Sequence, residues 1–179
     1  MLAFPSHAAR DKAWQEFGRD PEWQTAQKAS EVNGKLLAKA PESRLLHATD
    51  FSPAPDAAKT TAAGDRVFEL RTYTASPGKL DALNARFRDH TCKLFERHGM
   101  ANVGYWTPLK GQKGDDVTLV YILAHKDMDA AKASWAGFRG DADWTAARKA
   151  SEEKAGGSLT AANGVKSVYM KPTDYSPMK

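Results

Sequence analysis

The sequence predicts an α+β fold in which helices cover one face of a β-sheet, and three observations lead there. Residues 66–170 alternate between strand and helix character in the order β-α-β-β-α-β. A near-copy of the second half of that pattern stands earlier in the chain. Between the copies lies a Pro-, Ala- and Thr-rich stretch, 54–65, with the period of neither helix nor strand.

The elements follow in order. Val67 to Thr74 is rich in β-branched and aromatic residues and reads as a strand. Pro77-Gly78 turns the chain into a helix, on which Leu80, Leu83, Phe87, Leu94 and Phe95 recur at helical spacing until Gly99 stops it. Ala101 to Thr107 is a second strand, ended by Pro108. Lys110 to Asp116 forms a Gly-rich polar loop, and Val117 to Ala124 a third strand. One long helix is expected from about Asp129 to Lys154, with Ala131, Trp135, Phe138 and Ala147 facing the core. Val165 to Met170 closes the module as a fourth strand. This is the ferredoxin-like arrangement. Its sheet has helices on one face only, so the other face calls for a second sheet, from a partner chain or a tandem copy.

The repeat is read residue by residue. Trp14-Gln15-Glu16-Phe17 and Asp20-Pro21-Glu22-Trp23 recur as Trp135-Ala136-Gly137-Phe138 and Asp141-Ala142-Asp143-Trp144 at the same spacing. Lys28-Ala29-Ser30-Glu31 matches Lys149-Ala150-Ser151-Glu152. Thr49-Asp50-Phe51-Ser52-Pro53 matches Thr173-Asp174-Tyr175-Ser176-Pro177 after a small insertion, and Leu2-Ala3 matches Leu123-Ala124. The expected organisation is a partial module over 1–53 (the end of a third strand, a second helix, a fourth strand), a linker over 54–65 and a complete module over 66–179. Met1 is then either an internal methionine of a longer natural chain or the start of a degenerate half-module. The first case would place any export signal upstream.

Charge and cysteine usage exclude several functions. The net charge of +4 and pI near 9.1 raise the question of an acidic partner. Yet signs alternate along helical stretches such as Arg86-Phe87-Arg88-Asp89, the mark of a solvated face rather than a nucleic-acid surface. Cys92 is the only cysteine, which rules out an intrachain disulfide and a multi-cysteine metal site. No apolar run approaches the roughly 18 residues of a membrane span. Met1-Leu2-Ala3-Phe4-Pro5 lacks the basic-then-apolar pattern of a signal peptide, so the chain as given reads as cytoplasmic.

Phe68-Glu69-Leu70-Arg71-Thr72-Tyr73 followed by Pro77-Gly78-Lys79-Leu80 resembles the opening signature of the NIPSNAP family. Gly104-Tyr105-Trp106 fits the same pattern, as does Asp20-Pro21-Glu22-Trp23 with its altered second copy, Asp141-Ala142-Asp143-Trp144. The resemblance covers Arg66 to about Met170 fully and Leu2 to His47 in part. It implies a dimeric α+β barrel, hence a homodimer formed through the open sheet face. It implies no reaction, because a fold does not carry one.

Candidate chemistry gathers on the first strand. Alternation puts Glu69, Arg71 and Tyr73 on one face and Phe68, Leu70 and Thr72 on the other. With the apolar set expected against the helices, the polar stripe points between two sheets, where Trp106 is a further candidate wall. There Arg71 could pair a ligand carboxylate and Tyr73 donate a hydrogen bond. Alternatively, Glu69 and Arg71 form an ion-pair network that fixes how the halves pair. His90 lies seven residues after Leu83, on the expected apolar face of the first helix. Superfamily relatives that hold haem make it a candidate ligand, against a core histidine bonded to a backbone carbonyl. His98 suits the helix C-terminus. His7, His47 and His125 are dispersed, so no metal site is expected, and no cofactor either. Cys92 reads as a packing thiol, and Trp14, Trp23, Trp135 and Trp144 as anchors of the second helix. Gly111 and Gly114 flank a loop without a phosphate cradle. Two classes remain: a non-catalytic barrel for assembly or partner binding, and a small-molecule-binding barrel acting as a cofactor-independent oxygenase.

Overall fold

The computed structural model describes residues 1–54, 66–176 and 178; the expected 54–65 linker therefore lies, from residue 55 on, outside the described residues. The chain forms two compact units, Met1–Ser43 and Arg44–Lys179. The division falls before the linker because residues 46–48 join the second unit's sheet.

That sheet has five strands: β1 (Leu46–Ala48), β2 (Val67–Ala75), β3 (Ala101–Pro108), β4 (Thr118–His125) and β5 (Thr160–Met170). Their spatial order is β1-β3-β4-β2-β5, and every pairing is antiparallel. The last four are the ferredoxin-like set. β1, within the stretch 1–53 expected as a partial module, adds to the outer edge of β3 with Leu46 opposite Pro108 and Ala48 opposite Trp106. A strand edge that would present unpaired backbone groups is thereby covered.

The first helix of the module is one run in three pieces: α3 (Leu80–Arg86), a π-helical turn (Phe87–Thr91) and α4 (Cys92–Arg97). In the turn the Cys92 amide bonds to the Phe87 carbonyl, five residues back, and the Thr91 hydroxyl donates to the Arg86 carbonyl at 3.2 Å. The extra residue rotates everything after it. Thr91, Leu94 and Phe95 consequently face the core, and His90, expected there, is exposed. Gly99, at φ 77°, ends the run in the left-handed conformation that only glycine adopts without strain.

The expected single helix over 129–154 is instead two, α5 (Met128–Gly140) and α6 (Ala142–Lys154). Asp141 breaks it. Its backbone is extended (ψ 127°), and its side chain accepts from the Asp143 and Trp144 amides at 2.7 and 3.3 Å, capping α6. Pro21, aligned with Ala142 in the sequence match, carried the signal, since a proline seldom sits inside a helix but is at home at its first position.

The main core lies between sheet and helices. Leu83, Phe87, Phe95, Tyr105, Leu119, Tyr121, Leu123, Trp135 and Phe138 meet there. On the opposite face, Phe68, Ile122 and Ala124 form a second apolar cluster, flanked by Leu70, Val103, Trp106 and Met170 and joined by no helical residue among those described.

The first unit is a helical hairpin, α1 (His7–Arg19) and α2 (Pro21–Ser30), with no fully buried residue in either helix. Ser6 caps α1 and Asp20 caps α2. No helix of the described residues is long and apolar enough to cross a membrane.

Candidate functional site

β2 pairs with β4 and β5 so that Glu69 stands opposite Leu123 and Tyr169, and Arg71 opposite Tyr121 and Ser167. Strand period therefore aligns Glu69, Arg71 and Tyr73 with the helix-facing core residues of β4. The expected orientation is reversed: the polar stripe points at the helices, and Phe68 and Leu70 lie on the opposite face. The physical reason is that the helix side supplies hydrogen-bond donors, so a carboxylate can be buried there without loss.

Glu69 is fully buried and receives four donors. Arg71 Nη1 donates to Oε1 at 2.6 Å and Ser167 Oγ to the same oxygen at 2.5 Å. Trp135 Nε1 donates to Oε2 at 2.8 Å, and His125 Nε2 lies 3.0 Å from it. One side chain thus ties β2 to β4, β5 and α5. Burial alone would raise its pKa, but the bonds from His125 and Ser167, the charge of Arg71 and the bond from Trp135 outweigh it and hold the carboxyl at about 2.

Arg71 lies over the Trp135 ring, 4.1 Å from its centroid, a cation–π contact. Its Nη2 donates to the Tyr73 hydroxyl at 3.3 Å. Burial opposes its charge, yet Tyr121, Tyr73 and Glu69 together push its pKa up. Tyr73 packs against Phe87 and Tyr121 with ring centroids 5.7 and 5.3 Å apart. Three buried polar atoms border this network with no hydrogen-bond partner among the described residues: Arg71 Nε, Tyr121 Oη and His125 Nδ1.

The remaining candidates sit elsewhere. Trp106 belongs to the opposite face, its ring lying over Gly104 so closely that a Cβ there has no room. It does not share a cavity with Glu69, Arg71 and Tyr73. His90, the haem candidate, is exposed on the helix surface rather than in the helix–sheet gap. His98 reaches across to α6, its Nε2 2.7 Å from Asp141 Oδ2, and Gly137 gives its ring the space to do so. Cys92 is partly buried, and burial pushes its thiol up to about 11. A surface hollow of about 620 Å³ lies apart from the stripe, where Arg88 is paired by both oxygens of Asp50 at 2.8 and 2.7 Å beside Asn84 and Asp81. Among the described residues, no group of three or more His, Cys, Asp or Glu side chains is placed to hold a metal ion.

Sequence reasoning missed His125, Ser167 and Trp135 as partners of Glu69. His125 follows Leu123 by two and so shares its face, a signal that becomes usable only once the β2–β4 register is known.

The NIPSNAP family model matches residues 68–177. The chain is similar to a solved NIPSNAP family protein of unknown function from Agrobacterium tumefaciens, with 22% identity and a TM-score of 0.53, covering 64% of this chain and 95% of that one. A second NIPSNAP family protein from the same organism gives 16% and 0.53, covering 65% and 93%. An uncharacterized NIPSNAP-like domain protein from Burkholderia xenovorans gives 14% and 0.52, covering 64% and 91%. At such identities the likeness is one of fold. Among curated proteins, none matches.

Proposed function

The chain belongs to the NIPSNAP family, and from that premise we propose that it works as a non-catalytic assembly module, an open half-barrel closed by the sheet of a second copy. The observation that carries this is the apolar cluster on the sheet face away from the helices. Val168, opposite Leu70 on that face, is 57% exposed, and β5 stands at the end of the sheet. An exposed valine beside Leu70, Trp106 and Met170 gains about 1.5–3 kcal/mol when a second sheet covers it. The partial copy supports the same reading, because β1 already joins the complete module by strand addition. The test is molar mass by light scattering for the parent and for Val168→Glu. A dimeric parent and a monomeric variant are expected; a parent that stays monomeric at tens of micromolar concentration would sink the idea.

A second reading, a small-molecule-binding barrel acting as a cofactor-independent oxygenase, is favoured by one observation. Arg71, with a side chain 13% exposed, and Tyr121 present buried polar atoms with no partner among the described residues. A polar ligand reaching the Arg71–Tyr73 edge would supply those bonds. Binding that survives Arg71→Ala unchanged would exclude this site. An absorbance spectrum of the purified protein separates it from a cofactor-bearing protein, which would show a Soret or flavin band.

A further inference from the structure

The hairpin α1–α2 reproduces the caps and the aromatic geometry of α5–α6. Ser6 accepts from the Ala9 amide as Asp127 accepts from Ala130. Asp20 accepts from Glu22 and Trp23 at 2.8 and 3.2 Å, as Asp141 does from Asp143 and Trp144 at 2.7 and 3.3 Å. Trp14 meets Phe17 at 5.8 Å and 81°, and Phe17 meets Trp23 at 4.6 Å and 30°. The matching rings of Trp135, Phe138 and Trp144 stand at 5.7 Å and 88°, then 4.5 Å and 34°.

Their surroundings differ. In the second copy, Phe95 of α4 packs on Trp135 and Phe138 at 5.4 and 4.9 Å. Arg97 donates to Asp143 at 2.6 Å, His98 meets Asp141, and Trp135 donates to Glu69. Trp135 and Phe138 are accordingly 8% and 4% exposed, whereas Trp14, Phe17 and Trp23 are 45%, 43% and 39% exposed. Three large aromatics held in the geometry of a packed core yet partly exposed form an apolar patch rimmed by Asp20 and Glu22.

We propose that the Trp14–Phe17–Trp23 face is a docking surface for the front half of a NIPSNAP module, a strand–helix–strand–strand segment of the type formed here by residues 66–121. The fit is set by chemistry already present in the second copy. The occupant brings an aromatic ring to fill the notch between Trp14 and Phe17, as Phe95 does. It brings a basic helix end, as Arg97 and His98 form, to Asp20 and Glu22. It brings a buried carboxylate, as Glu69 is, to accept the Trp14 indole N–H. This surface uses residues of α1 and α2 alone, none of the sheet face in the assembly proposal, and stands whether or not that face dimerises.

The test joins a second copy of residues 66–121 ahead of Met1, which continues in register because Met1-Leu2-Ala3 matches Ile122-Leu123-Ala124. Amide exchange over 7–30 is compared with that over 128–154 by mass spectrometry. In the parent chain, 7–30 is expected to exchange faster; in the extended chain it should slow by about a hundredfold, towards the rate of 128–154. The same extension with Phe95→Asp in the added copy should lose most of that protection. Exchange over 7–30 that the extension leaves unchanged overturns the proposal, whether or not the added segment folds elsewhere. So does a parent chain whose 7–30 protection rises with protein concentration, which would assign the face to a second copy.

Discussion

Replacing Glu69 by Gln removes one charge and changes almost no volume, so it isolates what the carboxylate does. Each oxygen of Glu69 faces two donors: Arg71 and Ser167 on one side, His125 and Trp135 on the other. An amide NH2 on either side meets donors instead of an acceptor, and Arg71 loses its counter-ion over the Trp135 ring. Removing one partner of a buried, hydrogen-bonded pair costs about 3–5 kcal/mol, because the other charge stays buried. Acid provides the internal check. The carboxyl moves from 4.5 in a free chain to about 2 here. A depressed pKa contributes stability that is present above about pH 4.5 and lost as pH falls towards 2, worth at most about 3 kcal/mol. Urea denaturation followed by near-ultraviolet circular dichroism, from pH 7 down to 2.5, reads both effects. Glu69→Gln should be destabilised at pH 7 and should lack the Glu69 share of the acid loss, so that the two curves converge at low pH. A variant within about 0.5 kcal/mol of the parent at pH 7, with the parent's acid profile, would refute the reasoning.

Other perturbations test neighbouring claims. Trp135→Ala removes a core ring and the Glu69 donor together and should cost about 3–5 kcal/mol in the same denaturation assay. Asp141→Ala should speed amide exchange at Asp143 and Trp144, whose N–H groups it caps, while Asp141→Asn should largely preserve their protection. A chain of residues 44–179 keeps β1 on the β3 edge; one of residues 54–179 bares that edge and should self-associate, read as a higher mass by light scattering.

Much of the fold was legible because period and burial agree. Leu80, Leu83, Phe87, Leu94 and Phe95 on the first helix, and Ala131, Trp135, Phe138 and Ala147 on the second pair, are all buried as their spacing requires. What failed lay beyond local pattern. The π-helical turn has no period of its own; it follows from packing that favours Thr91 inward, and it moved His90 out. The facing of β2 depends on donors from three distant elements, so alternation identified the stripe correctly but not its side. Both faces of the sheet around β2 carry apolar neighbours, which leaves hydrophobicity unable to choose between them. The break at Asp141 was written in Pro21 and became readable only by aligning Asp20-Pro21-Glu22-Trp23 with Asp141-Ala142-Asp143-Trp144.

The titrations of the core bear on the choice between assembly and catalysis. A general base or acid works best with a pKa near the operating pH. Glu69 is held at about 2, too low to draw a proton efficiently at neutral pH. Burial pushes Cys92 up to about 11 and the phenols of Tyr105 and Tyr121 well above their ordinary range, so none of the three is an available nucleophile or base. These shifted groups move away from neutrality, the opposite of the tuning that an active site imposes. Arg71 and Tyr73 can still orient a ligand. The four bonds on Glu69 fix α5 and β5 to the sheet, a positioning role in which they stay made.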